Sequence, residues 1–282
     1  MSNSPREHER GVMTEPALHL DGYLARIGYD GPLDASLATL TALHQAHVAR
    51  VPFENLDVQM GLPIRLDLES LQAKIVDRER GGYCFEQNAL FAAVLRRLGF
   101  AVTTLAARVR YHATGPTPRT HMLLRVEVAE GPFLADVGFG GDGPTAPIRF
   151  VENEEQVQRL DTFRVVREGA QQRLEVEREG AFLPLYVFTL EEHFPVDYEL
   201  ANYFTSTHPG SRFVQTLVAA RPGSDCRYSL HNRDFGTRRG DVVERRTLTT
   251  DDEFFAVLEQ TFGLRVPRTS RFRAIHGASD ER

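Results

Sequence analysis

The sequence predicts an α+β fold in which helices come first, an antiparallel sheet or barrel second and a small mixed α/β piece last. Three observations predict it. Apolar residues recur at helical spacing as far as Gly99, short β-branched and aromatic segments separated by Gly and Pro follow, and the last part mixes both patterns. Helices and strands segregate along the chain instead of alternating, which excludes a parallel doubly wound sheet.

The first part reads as helices. Leu33, Leu37, Leu40 and Leu43 recur at spacings of four and three. Leu68, Leu71 and Ile75 repeat that pattern behind Asp67, a suitable N-cap. Lys74 is expected on the solvated face of this second helix. Glu86 to Leu98 forms a third helix with Leu90, Ala93, Val94 and Leu98 as its stripe, ended by Gly99. Strands are then expected over Val102–Tyr111, Met122–Val128, Phe133–Val137, Thr162–Glu168, Arg173–Glu177 and Phe182–Leu190. Turn residues separate them, among them Gly115-Pro116 and Gly131-Pro132. In the last part Phe213–Ala219 and Asp241–Leu248 read as strands, and Thr250–Phe262 as a helix opened by a Thr250/Glu253 capping box.

Composition narrows the function. The chain has 282 residues, 41% hydrophobic and 26% charged, enough for a sizeable core. A net charge of −6 argues against a non-specific nucleic-acid binder. No apolar run approaches the ~18 residues that a membrane span needs. The N-terminus is polar without an apolar h-region, so it does not read as a secretory signal. The first sixteen residues and the tail from Gly277 are expected to be mobile. Lys74 is the single lysine, so Schiff-base and Walker chemistry would have to fall on it, and both are set aside. Cys84 and Cys226 are the only cysteines, read as reduced thiols of a cytoplasmic protein with no metal. Cys226 lies in a polar stretch with no motif. His44 and His47 give H-x-x-H, but without the zincin glutamate they do not make a metal site.

The most unusual stretch is Arg80-Gly81-Gly82-Tyr83-Cys84-Phe85-Glu86-Gln87-Asn88. Two glycines allow a tight turn, and a helix begins at or just after Cys84. A thiol there meets the positive end of the helix dipole, which favours the nucleophilic thiolate. A buried structural thiol is the alternative. His121 opens one strand and Asp136 closes the next, so a hairpin brings them to the same end, a few residues from direct opposition. An imidazole backed by a carboxylate is oriented as a base. The chain order Cys, His, acid is that of papain-like sites. Gly138-Phe139-Gly140-Gly141-Asp142-Gly143 fits G-x-G-x-x-G, but Pro144 and Pro147 preclude the helix that a dinucleotide fingerprint needs. The loop suits a mobile active-site wall instead, with Phe139 as an aromatic contact.

These residues resemble the arylamine N-acetyltransferase family. Val51-Pro52-Phe53-Glu54-Asn55-Leu56, the Arg80–Asn88 stretch, Thr120-His121-Met122 and Asp136-Val137-Gly138-Phe139-Gly140 match its motifs in order, and Asn202-Tyr203-Phe204 extends the match. The resemblance implies a helical bundle over 1–99, a β-barrel over 100–205 and an α/β lid over 206–282, with a papain-like Cys-His-Asp site. It implies Cys84, His121 and Asp136 as the catalytic residues. It implies acetyl-CoA as donor and an arylamine, arylhydrazine or arylhydroxylamine as acceptor. It further implies Gly140 and Phe204 near the cofactor and Phe139 near the acceptor. Three rivals remain at this level: a macrolactam-forming amide synthase with the same triad, a cysteine protease or amidase, and a non-catalytic small-molecule binder.

Overall fold

The computed structural model describes residues 18–277. The terminal segments expected to be mobile lie, but for Gly277, outside the described residues. The N-terminal part contains α1 (Leu20–Ile27), α2 (Leu37–Arg50), the short strand β1 (Phe53–Glu54), α3 (Leu56–Gln59), α4 (Leu68–Gln72) running into a π-turn at Ala73–Asp77, and α5 (Cys84–Arg97). Local chemistry sets the ends. Asp67 accepts the Ser70 N–H as N-cap of α4, and Gly99 takes φ +89° just past α5, a conformation that a Cβ disfavours. Helix α1 was not legible in the apolar spacing. Leu33 lies before α2 and is exposed.

The middle of the chain forms an eight-stranded antiparallel sheet. Its strands are β2 (Ala101–Val109), β3 (Arg119–Val128), β4 (Gly131–Ala135), β5 (Ile148–Arg149), β6 (Gln156–Val157), β7 (Thr162–Glu168), β8 (Gln171–Arg178) and β9 (Ala181–Phe188), in the order β5-β4-β3-β2-β9-β8-β7-β6. The two edge strands, β5 and β6, are stitched together by a side chain. The Gln156 carboxamide accepts the Arg149 N–H at 2.7 Å and donates to the Arg149 carbonyl at 2.9 Å, as a ladder neighbour would. Gln158 does the same for the Ala146 N–H and C=O. The sheet is thereby nearly closed into a barrel, and its edges are covered. Residues alternate along β3. Leu123 packs with Leu105, Leu134 and Phe163 in the barrel core, whereas Met122, Leu124 and Val126 join the core shared with Phe85, Phe91 and Val94 of α5.

The last part begins with α6 (Pro195–Thr207) and α7 (Arg212–Gln215). It continues through β10 (Val218–Pro222), β11 (Arg227–His231), β12 (Asp234–Arg239) and β13 (Val242–Thr247) to α8 (Asp251–Gln260) and α9 (Arg273–His276). Strand β1 completes its sheet, in the order β1-β10-β11-β12-β13. The segment Phe213–Ala219, read as one strand, is instead the end of α7 followed by the start of β10. Ser211 caps α7 by accepting the Phe213 N–H, which turns Phe213 inward. The Thr250/Glu253 capping box of α8 is present.

One further expectation is corrected. Lys74 is buried, with Nζ 2.8 Å from Asp57 Oδ2 and 2.7 Å from Glu86 Oε1. The π-turn moves it off the solvated face that a regular helix would have given it. Cys226 directly precedes β11, at a strand edge, and its side chain is buried.

Candidate active site

Cys84 is the first residue of α5, and the loop before it is shaped by what its glycines approach. A Cβ on Gly81 would lie 1.9 Å from the Pro52 carbonyl oxygen, and one on Gly82 would lie 2.7 Å from Glu86 Oε2. Glu86 Oε2 accepts the Tyr83 N–H at 3.0 Å, while Oε1 accepts from Lys74. Arg80 donates to Glu54 Oε1 at 2.8 Å and to Asp57 Oδ1 at 2.9 Å. Two cations and three carboxylates therefore gather around the loop before α5, and all but Arg80 are buried. Burial alone would lower the Lys74 ammonium, but Glu86, Glu54 and Asp57 outweigh it and raise it, so the lysine stays charged. Gln87 adds a bond from Nε2 to the Gly82 carbonyl at 2.6 Å.

His121 stands within β3, not at its start, because the strand begins at Arg119. The last ladder pair of the β3–β4 hairpin is Leu124 with Ala135, so Asp136 is one residue past the strand and curls back toward His121. His121 Nε2–H donates to Asp136 Oδ2 at 2.7 Å. The other ring nitrogen is left free of Asp136; Cys84 acts on the imidazole at close range, and its thiol donates to the Thr120 carbonyl at 3.5 Å. All three side chains are buried. Burial alone would push the imidazole down. The Asp136 carboxylate, with a smaller effect of Cys84, overcomes it and raises His121 to about 10, so the ring is an imidazolium at neutral pH. Burial likewise pushes the Asp136 carboxyl up, but the His121 charge and hydrogen bonds from Asn88 and the Gly138 N–H bring it below the ordinary carboxylate value.

Asp136 Oδ1 accepts from Asn88 Nδ2 at 3.0 Å and from the Gly138 N–H at 3.1 Å. Asn88 Oδ1 accepts the Val137 N–H at 3.1 Å. Gly138 allows this close approach, since a Cβ there would lie 2.8 Å from Cys84 Cα. Sequence reasoning missed Asn88, although it lies one helical turn after Cys84 and therefore on the same face. It also missed Tyr186, whose ring lies 4.9 Å from His121; no local signal marks a tyrosine on β9 as a neighbour of β3. Phe139 lies edge-on to His121, with the ring centroids 5.3 Å apart.

The glycine loop differs from the expected mobile wall, because Arg227 ties it to the second sheet. Its guanidinium donates to the Gly141 and Gly143 carbonyls at 2.7 Å each and to Asp161 Oδ2 at 2.6 Å. Asp142 is held by Tyr111, Arg178 and Arg238, which keep its carboxyl near 2 against the opposing effect of burial. Gly140 takes φ +70° over Phe53, where a Cβ would lie 2.4 Å from the ring, and it lines a small cavity behind Asp136. Phe204 lies on α6, partly exposed and stacked on His208 at 4.6 Å. Asn202, two residues earlier, takes a hydrogen bond from the Tyr83 hydroxyl, which links α6 to the residue before Cys84. Among the described residues no His/Cys/Asp/Glu cluster has metal-site geometry, and no helix is long and apolar enough to cross a membrane.

A thiol at a helix N-terminus, facing an imidazole that a carboxylate holds, is the equipment of proteins that move acyl groups through a cysteine. The comparisons narrow that class. A family model described as N-acetyltransferase matches residues 36–271. The chain is 40% identical over 254 residues to the arylamine N-acetyltransferase of Mycolicibacterium smegmatis, covering 88% of this chain and 92% of that one. It is 40% identical over 250 residues to that of Escherichia coli K12, covering 88% and 89%. The solved structure of Mycobacterium marinum arylamine N-acetyltransferase in complex with CoA superposes with a TM-score of 0.83 at 39% identity, over 86% of this chain and 92% of that one. The chain belongs to the arylamine N-acetyltransferase family, and it is an acyltransferase.

Proposed function

We propose that this enzyme transfers the acetyl group of acetyl-CoA to the nitrogen of an arylamine or arylhydrazine, or to the oxygen of an arylhydroxylamine, through an acetyl-Cys84 thioester. The observation that carries this reading is the His121–Asp136 hydrogen bond set beside Cys84 at the start of α5, on a family scaffold of which one relative was solved with CoA. The Cys84 sulfur attacks the thioester carbonyl, the C–S bond to coenzyme A breaks, and His121 supplies the proton to the departing thiolate. The acceptor nitrogen then attacks the acetyl-cysteine carbonyl. His121 takes the nitrogen's proton, and the Cys84 thiolate leaves. Asp136 keeps Nε2 protonated throughout, so the nitrogen facing Cys84 is the one that exchanges protons. The first N–H groups of α5 have no intrahelical partner and are placed to receive the oxyanion. Gly140 and Phe204 are assigned to the cofactor side of the site and Phe139 to the acceptor side. Both cysteines are free, in keeping with action in the reducing cytoplasm.

Two substrates used in turn predict parallel lines in a double-reciprocal plot of initial rates against acetyl-CoA at several arylamine concentrations. Intersecting lines would refute the covalent route. If acetyl-CoA leaves Cys84 unmodified while a carrier-protein acyl thioester acylates it, the enzyme is an amide synthase instead.

A further inference from the structure

Helix α2 presents His44 and His47 three residues apart and therefore on one face, both fully buried. His47 is satisfied at both ring nitrogens, with the Tyr23 hydroxyl 2.7 Å from Nδ1 and Gln87 Oε1 3.2 Å from Nε2. Gln87 in turn holds the Gly82 carbonyl before Cys84. His44 points the other way along the site. Its Nε2 accepts the backbone N–H of Asp136 at 3.2 Å. We propose that His44 is a positioning residue for the acyl-transfer site: by accepting the Asp136 N–H it fixes the carboxylate that holds His121. The proposal rests on the acyl-transfer reading of Cys84, His121 and Asp136.

Ladder pairing stops at Ala135, so the N–H groups of the next three residues have no strand to bond. They are buried and need acceptors. The Val137 N–H goes to Asn88 on α5, and the Gly138 N–H goes to the Asp136 carboxylate itself. The Asp136 N–H goes to His44, and this bond ties the segment to α2. Asp136 is thus gripped from α5 through its carboxylate and from α2 through its backbone. With the α2 grip removed, the N–H would be left to recover a partner by rotating the peptide, which turns the carboxylate away from His121 Nε2. Only a neutral imidazole can accept this bond. Burial lowers His44 to about 4, so its lone pair is present throughout the neutral range. Phe91, edge-on at 6.0 Å, holds the ring in place.

The test compares His44→Leu, which removes the acceptor, with His44→Gln, whose side-chain carbonyl reaches the position of Nε2. Acetyl transfer and the pH profile of Cys84 alkylation by iodoacetamide are measured on both. His44→Leu is expected to slow transfer by about 10- to 100-fold, the cost of misplacing a catalytic group by up to about 1 Å. KM for acetyl-CoA should stay nearly unchanged, and the alkylation profile should shift to higher pH. His44→Gln is expected to recover most of both. A wild-type alkylation profile in His44→Leu, or equal losses in the two variants, would overturn the assignment. Should His44→Leu not fold, His44→Gln is compared with His44→Asn, whose carbonyl stops at the position of Nδ1. Gln is then expected to outperform Asn, and equal rates would overturn the assignment. Alkylation needs no acyl donor. Wild-type protein that alkylates at pH 6 but takes no acetyl group would refute the donor, and the variant profiles would still decide the role of His44.

Discussion

Replacing Asp136 by Asn probes the charge that sustains His121, and the surrounding hydrogen bonds dictate how the new side chain must sit. Oδ1 receives two donors, Asn88 Nδ2 and the Gly138 N–H. The Asn carbonyl must occupy that position, because an NH2 group there would face two N–H groups. Its NH2 then points at His121 Nε2, where the carboxylate accepted a proton before. Nε2 has to become the acceptor, so the ring proton moves to the nitrogen facing Cys84. That tautomer cannot take a proton from the thiol. The loss of charge acts in the same direction. With Asp136 neutral, burial is left as the largest influence on the imidazole and pushes it below 6.5 from about 10. That loss is about 5 kcal/mol of imidazolium stabilisation, at ~1.4 kcal/mol per pH unit. The acetyl-transfer rate should fall by about 10²- to 10⁴-fold, the range for lost acid–base catalysis and a wrong tautomer. Iodoacetamide alkylation of Cys84 from pH 5 to 9 reads the thiolate directly. His121 ring-proton NMR shifts over the same range read the imidazole. Rapid alkylation of Asp136→Asn at pH 6, with His121 still charged at pH 8, would refute the reasoning.

Three further outcomes follow from the buried charges and close contacts. His44 and His47 lie at about 4 and about 3 through burial. The unfolded chain binds their protons below about 6.5 and the folded chain does not, so stability is lost as the solution is acidified; urea unfolding should show a loss of about 2 kcal/mol from each on going from pH 7 to pH 5, offset by less than about 1 kcal/mol from His121. Lys74→Met leaves Asp57 and Glu86 without their shared buried cation. It should destabilise the fold by about 3–5 kcal/mol, and an unchanged urea midpoint would show that the ion pairs contribute nothing. Gly138→Ala brings a Cβ to 2.8 Å from both Cys84 Cα and Asn88 Nδ2. It should cost about 1–3 kcal/mol in urea unfolding and slow transfer by spreading Asp136 from α5, whereas wild-type kinetics would show that the segment shifts freely.

The sequence carried what depends on local pattern and lost what depends on contacts between distant segments. The segregation of helices and strands, the Asp67 cap, the turn at Gly99 and the Thr250/Glu253 box are set within a few residues, and each was legible. That Cys84, His121 and Asp136 come together was legible because the glycine-flanked cysteine is conspicuous and the hairpin is short. Lys74 was misplaced because its partners, Asp57 and Glu86, come from other elements and a π-turn redirects it. The glycine loop read as a free wall because the arginine that holds it lies 84 residues further on. Helix α6 escaped because its apolar residues do not sit on one buried stripe: Tyr198, Asn202 and Thr205 face inward, while Val196, Leu200 and Tyr203 are exposed. His44 was weighed as a metal ligand and dismissed, and its bond to a backbone N–H 92 residues away leaves no trace in the sequence around it.

In the proposed covalent route Cys84 carries the acetyl group. Intact-protein mass spectrometry after incubation with acetyl-CoA alone, on wild type and Cys84→Ala, tests it most directly. The wild type should gain the mass of one acetyl group and Cys84→Ala none, and the adduct should be removed when an aminobenzoate is supplied. An acetyl adduct that persists in Cys84→Ala, or a wild-type enzyme that acetylates the arylamine in rapid-quench samples without ever carrying the group, would contradict it.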